Sequence, residues 1–254
     1  MVKIMKERKE KEILEFLQSK EFATVEQIAK SLYLSESTVR RKLNVLQNQG
    51  LVTRTHGGAK INDRNNVLPG FTFRFHKNII EKKKMAKVGA SLIKDGDVIF
   101  IDGSTSAFYV ATFLKGLKNI SVITNGIDTL SELAKTDIKT YSTGGAISKT
   151  NNSVLVGYQV ENTINNFYAD IMFFSTSAIS SNGKIYDCYE EETSMRKTMI
   201  ANSRIKVLLL DSTKFTATSP YTICSVDDID YLITDKDVSN YFVVKPKCKI
   251  IVVK

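Results

Sequence analysis

Apolar residues recur at helical spacing through the first fifty positions and in short β-rich runs after about position 98, so hydrophobic patterning alone divides the chain into two parts. Over roughly residues 5–20, Ile13, Leu14, Phe16 and Leu17 form one apolar side with Lys and Glu elsewhere, which predicts an amphipathic helix. A second helix is predicted from Thr24, which with Gln27 has capping-box spacing, and its buried face is Ile28, Ala29 and Leu32. After a short turn at Tyr33-Leu34, Ser35 caps a third predicted helix that stops at Gly50. Leu51–Thr55 is β-prone, and the glycines Gly57 and Gly58 with the run to Ile61 complete a predicted β-hairpin.

The third helix carries the first candidate chemistry. Val39, Leu43 and Leu46 share one face. At about 100° per residue, Ser37, Arg41, Asn44 and Asn48 lie opposite, flanked by Thr38 and Arg40. That outer face holds short polar groups and guanidinium but no carboxylate, the chemistry that reads base edges and phosphates in a major groove. A short helix, a tight turn and this helix make a helix-turn-helix, and the hairpin makes its wing. Arg54, His56 and Lys60 supply donors on the wing, while Gly57 and Gly58 let its tip approach a phosphate backbone. A helical protein-interaction bundle is the competing reading; helix order, caps, polar face and basic wing together favour double-stranded DNA.

Residues 62–79 are Asn-rich, contain the Pro69-Gly70 break and read as a linker, tied down late by Phe71, Phe73 and Phe75. Beyond it, helical and β-rich segments alternate. Helices are predicted near 80–93, from Thr105 and around 128–135; strands are predicted at Val98–Ile101, Ser121–Thr124, Ile138–Ser142, Ile171–Ser175, Lys206–Leu210 and Tyr231–Thr234. The fold class is therefore α/β: a winged helix-turn-helix over residues 1–61, then a mostly parallel, Rossmann-like domain over residues 80–254.

Small polar residues and glycines gather where those strands end, which is where ligands bind in such folds. Val98–Ile101 runs into Asp102, Gly103, Ser104, Thr105 and Ser106; the next strands end at Thr124-Asn125 and Thr143-Gly144-Gly145, and Leu210 runs into Asp211-Ser212-Thr213-Lys214. One such turn is often only a capped helix. Four of them, one with a lysine, point to a site for a phosphate and several hydroxyls. Neither GxGxxG nor GxxxxGK[ST] occurs, so the common nucleotide sites are excluded.

Composition narrows the choice. Net charge is +9, and residues 1–60 hold 12 Lys+Arg against 7 Asp+Glu, a density suited to a polyanion there. Three separated cysteines, no CxxC pair and no apolar leader predict a reduced, cytoplasmic protein, and no stretch reaches the roughly 18 apolar residues of a membrane span. Two histidines leave little for metal or Ser–His catalysis; no metal, cofactor or catalytic residue is expected.

ATVEQIAKSLYLSESTVRRKLNVLQNQGLVTRTHGGA resembles the winged helix-turn-helix of DeoR-family regulators, whose pattern is SxxTxRRDLxxLxxxGxxxRxHGGA. Ser35, Thr38, Arg40-Arg41, Leu43, Leu46, Gly50, Arg54 and His56–Ala59 stand in register; Lys42 replaces the usual Asp, an exchange expected to make the helix more basic and alter operator preference. DGDVIFIDGSTS, VITNG, TGGAIS, Glu191-Glu192 with Met195-Arg196, DSTKF and IDYLITD resemble the family's effector domain, itself similar to ribose-5-phosphate isomerase and glucosamine-6-phosphate deaminase. The resemblance implies a sugar-phosphate-controlled repressor. Gly103, Ser104, Thr105 and Ser106 would hold the phosphate with Lys82 and Lys214, while Asp102, Asn125, Gly144 and Gly145 would face the sugar. Where relatives show Gly-Ala-Asp-Gly, this chain has Ser175-Thr176-Ser177-Ala178, so Ser177 stands in for a carboxylate. A serine hydroxyl binds a sugar oxygen but is no general base near neutral pH, which disfavours the alternative of an isomerase or deaminase with Glu191 and Glu192 as acid and base. A homo-oligomer, dimer or tetramer, is expected because paired recognition helices match inverted repeats.

Overall fold

The computed structural model describes residues 9–10, 12–17, 20, 22–48, 51–55, 57–61, 71–215 and 218–253. The chain divides into two compact units, Met1–Arg74 and Phe75–Lys254.

In the first unit, residues 12–17 are helical (α1) and β1 (Phe22–Thr24) leads directly into α2 (Val25–Ser31). Thr24 forms the expected reciprocal capping box with Gln27. Tyr33, at φ 52°, makes the turn, and the Ser35 hydroxyl accepts from the Thr38 amide at 3.3 Å to cap α3 (Glu36–Asn48). Ile13, Leu17, Ile28, Val39, Leu43 and Leu46 close one small core. β2 (Val52–Thr55) and β3 (Gly58–Ile61) form the hairpin, but it has a third strand that was not foreseen: β1 pairs antiparallel with β3. A Cβ at Gly58 would stand 2.4 Å from the Ala23 carbonyl oxygen, so the approach of β1 is what demands glycine there. Gly50 and His56 lie outside the described residues.

Within the segment read as linker, Phe71–His76 is helical (α4), and α5 follows at Ile79–Ala90. Phe75 stacks on Tyr109 at 5.3 Å and meets Phe108 edge-on, an anchor for the start of the second unit.

The second unit is built on seven parallel strands. In chain order, β4 (Val98–Ile101), α6 (Thr105–Ala111), β5 (Ser121–Thr124), α7 (Ile127–Leu133) and β6 (Lys139–Ser142) come first. A small hairpin of β7 (Ala146–Ile147) and β8 (Leu155–Val156) leads to α8 (Tyr158–Asn165) and β9 (Ala169–Phe174). β10 (Ala178–Ile179), β11 (Lys184–Asp187) and, after α9 (Glu190–Ala201) and β12 (Ser203–Leu209), β13 (Tyr221–Ser225) make a small antiparallel sheet. β14 (Tyr231–Thr234) and β15 (Lys249–Val252) finish the main sheet, whose order is β15-β14-β12-β9-β4-β5-β6.

Strand residues are apolar on both faces because helices cover both. Ile99, Ile101, Ile171, Phe173, Val207 and Leu209 pack with α5 and α6, whereas Phe100, Met172, Phe174, Leu208 and Leu210 pack with α8 and α9. The two-residue period thus sorts one sequence into two cores. From β4 the chain steps outward through β5 and β6 on one side, while β9 begins the run on the other. β4 and β9 therefore flank a topological switch point, and the crevice beyond their carboxyl ends is where this architecture places a ligand.

Candidate functional site

In the N-terminal unit, Ser37, Arg40, Arg41 and Asn44 are exposed on α3 and Thr38 is half-buried, as the helical pattern required. Their commitments differ. Arg40 is held by Glu36 one turn back at 2.8 Å, and Arg54 of the wing donates to the side chain of Asn44. Arg41 has no ion-pair or hydrogen-bond partner among the described residues, which leaves its guanidinium whole for an external one. Gly57 is exposed at the wing tip and Gly58 is buried under β1. The expectation for Lys42 is corrected. Its side chain is 4% exposed and its ammonium lies 2.6 Å from Glu10, so the charge points into the domain and is neutralised rather than added to the outer face.

In the second unit, three of the four predicted polar loops meet at the switch point. Beyond β4, the Gly103 amide donates to Asn125 Oδ1 at 2.9 Å, joining the ends of β4 and β5. The Ser104 hydroxyl caps α6 by accepting from the Ala107 amide. Lys82, buried on α5, donates to Thr105 Oγ1 at 3.0 Å, and Lys214 donates to Ser175 Oγ at 3.0 Å beyond β9. Asp211 joins them. Burial would raise its carboxyl, but Lys214, the Thr213 hydroxyl and Lys82 outweigh that and hold it below the usual carboxylate range. Its stabilising contribution is therefore present above that range and lost as pH falls through the folded value. Asn78, at the start of α5, donates to Asp211 Oδ1 at 3.1 Å, completing a ring of α5, β4, β9 and β12.

Gly103 is what lets the ring close. A Cβ there would stand 2.3 Å from Val154 Cγ1 and 3.3 Å from Gly126 Cα, and Val154 is fully buried and β-branched, so it has nowhere to turn. Gly103→Ala is expected to cost about 1–3 kcal/mol by overpacking. Thermal denaturation should show the loss, and adding Val154→Ala should restore most of it; an unchanged melting point would contradict the packing.

Several expectations change here. Asp102 is not turned toward a ligand: it is 0% exposed and both its oxygens accept from the protein. Oδ1 accepts from the Ser104 amide at 3.0 Å, and Oδ2 accepts from Arg196 Nε at 2.6 Å. Arg196, from α9, also donates through Nη1 to Asp187 at 2.6 Å and through Nη2 to Glu192 at 3.1 Å. Burial alone would lower its pKa; the three carboxylates, Asp187 foremost, raise it above the ordinary guanidinium value. Glu192, half of the candidate acid–base pair, is thus an internal counter-ion, while Glu191 is exposed. This cluster was missed. Ser177 lies 2.9 Å from the Tyr186 carbonyl and 2.8 Å from the Ser219 hydroxyl, tied to the small sheet rather than to the ring. Gly144 and Gly145 are exposed after β6 and are likewise not bonded into the ring.

A groove of about 860 Å³ opens at the opposite rim, lined by Leu117, Asn119, Lys135 and Lys139 where β5 and β6 begin. Strand topology places ligands at the carboxyl ends instead. Among the described residues no helix is long and apolar enough to cross a membrane, and no three His, Cys, Asp or Glu side chains are grouped to hold a metal ion.

A winged helix-turn-helix joined to an α/β domain with a polar switch-point site is the architecture of a ligand-sensing, DNA-binding transcription regulator. Residues 9–65 match the DeoR-like helix-turn-helix domain and residues 77–236 match the DeoR C terminal sensor domain. The chain belongs to the DeoR family of transcriptional regulators. It is 32% identical to the HTH-type transcriptional regulator GolR of Listeria innocua over 91% of each chain. It is 32% identical to the transcriptional repressor GlcR of Bacillus subtilis over 88% of this chain and 86% of that one. With the L-fucose operon activator of Haemophilus influenzae it shares 31% identity over 88% of this chain and 90% of that one. Ribose 5 phosphate isomerase A from Neisseria gonorrhoeae aligns with a TM-score of 0.40 and 13% identity over 54% of this chain and 53% of that one, a likeness too slight to bear on function.

Proposed function

We propose that the chain is a repressor of sugar-metabolism genes whose operator affinity is set by a phosphorylated sugar bound beyond β4 and β9. The observation that carries the reading is the pair of lysines, Lys82 and Lys214, each on a hydroxyl of the switch-point loops with Asp211 between them. A phosphate replaces the hydroxyls and carboxylate as partner of both ammonium groups, and the Gly103–Ser106 loop supplies further donors. The names of relatives fit: GlcR is a repressor, and another relative controls an L-fucose operon, though as an activator.

The site binds and does not turn over its ligand. Asp102, Asp187 and Glu192 are all spent on Arg196, and Ser177 stands where a carboxylate would serve as base. The effector acts by binding the DNA-competent and DNA-incompetent arrangements with different affinity. α5, which brings Asn78 and Lys82 to the site, is the helix that follows the linker in the chain, so a ligand on Lys82 acts on the segment leading to the DNA-binding unit. The operator is double-stranded DNA read by a homo-oligomer, and the protein works in the cytoplasm.

Lys214→Ala tests this reading. Removing one charge-assisted partner is worth about 1.5–3 kcal/mol, so the sugar phosphate needed to release operator should rise about tenfold or more, with operator affinity unchanged in its absence. A panel of pentose and hexose phosphates in a gel-shift titration reads both quantities. Release of DNA at the wild-type concentration would refute the assignment.

A further inference from the structure

Asn151 lies in the β7–β8 connection, 5% exposed, in a part of the chain that the sequence did not mark. Its amide nitrogen donates to Glu192 Oε1 at 3.0 Å, and the other oxygen of that carboxylate takes Arg196 Nη2. A carboxylate paired in this way only accepts, so the NH₂ end of Asn151 must face it and the amide orientation is settled by chemistry. That leaves Asn151 Oδ1 as a buried acceptor with no hydrogen-bond partner among the described residues. Ser106 Oγ, in the cradle after β4, and Thr176 Oγ1, after β9, are buried without partners as well. Leaving such atoms unsatisfied costs on the order of 1–3 kcal/mol each.

The segments that carry the three orphans meet at the cradle, Thr176 following Ser175, whose amide donates to Asp102 Oδ2 at 3.5 Å and whose hydroxyl takes Lys214. The segment carrying Asn151 is docked on the cradle: Leu155 donates to the Asn125 carbonyl at 2.8 Å, Ile127 donates to the Ser153 carbonyl at 2.9 Å, and Val154 covers Gly103. A second route joins Asn151 to Ser104 through Glu192, Arg196 and Asp102. The orphans differ in chemistry. The hydroxyls of Ser106 and Thr176 can donate to a phosphate oxygen. A side-chain carbonyl cannot, and the dianionic phosphate ester of a sugar offers it no proton; it needs a donor, and a sugar hydroxyl is one.

We propose that Asn151 is a specificity-determining residue of the effector site, its Oδ1 accepting a hydrogen bond from a hydroxyl of the sugar portion while Arg196 and its carboxylates hold the amide in place. The assignment rests on the sugar-phosphate reading above and extends it: the lysines select the phosphate, and Asn151 selects what the phosphate is attached to.

The test uses the full-length protein, wild type and Asn151→Ala, in calorimetric titrations with inorganic phosphate and with ribose 5-phosphate, fructose 6-phosphate, glucose 6-phosphate and glucosamine 6-phosphate. Wild type should prefer one sugar phosphate over inorganic phosphate. In Asn151→Ala that preference should fall about tenfold, the worth of one hydrogen bond left unmade in a buried site, with inorganic phosphate bound within about twofold of wild type. The phosphate arm also reports that the variant is folded. An unchanged preference, or an equal fall for both ligands, would overturn the role of Asn151 and leave the site's reading standing. Wild type binding neither phosphate nor any sugar phosphate would overturn both.

Discussion

Replacing Arg196 with methionine is expected to cost about 3–5 kcal/mol of stability, enough to leave the α/β domain largely unfolded at growth temperature. Arg196 is 2% exposed and gives a separate nitrogen to each of three carboxylates, Asp102 just after β4, Asp187 on β11 and Glu192 on α9. Methionine fills most of the volume but leaves three buried, mutually repelling charges with nothing opposite. Arg196→Lys should recover only part of the loss, because an ammonium is a point charge and cannot span three partners set by a planar fork. Urea denaturation of the wild type and both variants reads this order directly. A methionine variant as stable as wild type would show that the cluster contributes nothing to the fold.

Arg41→Ala should abolish operator recognition while leaving ligand binding intact. On the outer face of α3, Arg40 is engaged by Glu36, and Arg54 of the wing is engaged by Asn44, whereas Arg41 is exposed and has no partner among the described residues. An arginine on a guanine edge is worth about 1–3 kcal/mol of discrimination, and two heads on an inverted repeat double the loss. Specific affinity would then fall toward the non-specific level, which depends on salt rather than sequence. A gel shift against operator and scrambled duplex separates the two. Wild-type operator affinity in this variant would remove Arg41 from the interface, and a simultaneous loss of sugar-phosphate binding would point to misfolding.

Much of the fold was legible because burial on two faces writes strands as apolar runs. Val98–Ile101, Ser121–Thr124 and Tyr231–Thr234 stand where the pattern put them. β15 carried the same signal in Ile250, Ile251 and Val252 and could have been read. β1 could not, since three residues ending in a helix cap show no alternation, and its pairing partner lies 34 to 38 positions away. The site divides in the same way. Local features such as a polar turn after a strand or a lysine beside it marked Gly103–Ser106 and Lys214 as candidates, and the family resemblance added Lys82; Lys82 bonds the Thr105 hydroxyl and Lys214 that of Ser175. Asp102 was misplaced because a carboxylate after a strand looks alike whether it faces a ligand or an arginine 94 positions further on. Asn151 was missed for the related reason that its meaning comes from Glu192, which only the fold brings to it.

The pair of Lys42 and Glu10 bears on how family members could exchange recognition helices. In a pattern that usually has aspartate at the Lys42 position, this chain has reversed one charge and kept it inside, against a glutamate on the first helical segment. A third helix transplanted from an aspartate-bearing relative would set two carboxylates against each other in a nearly dry contact. The DNA-reading surface is therefore not a free-standing cassette: the residue at position 10 must travel with it.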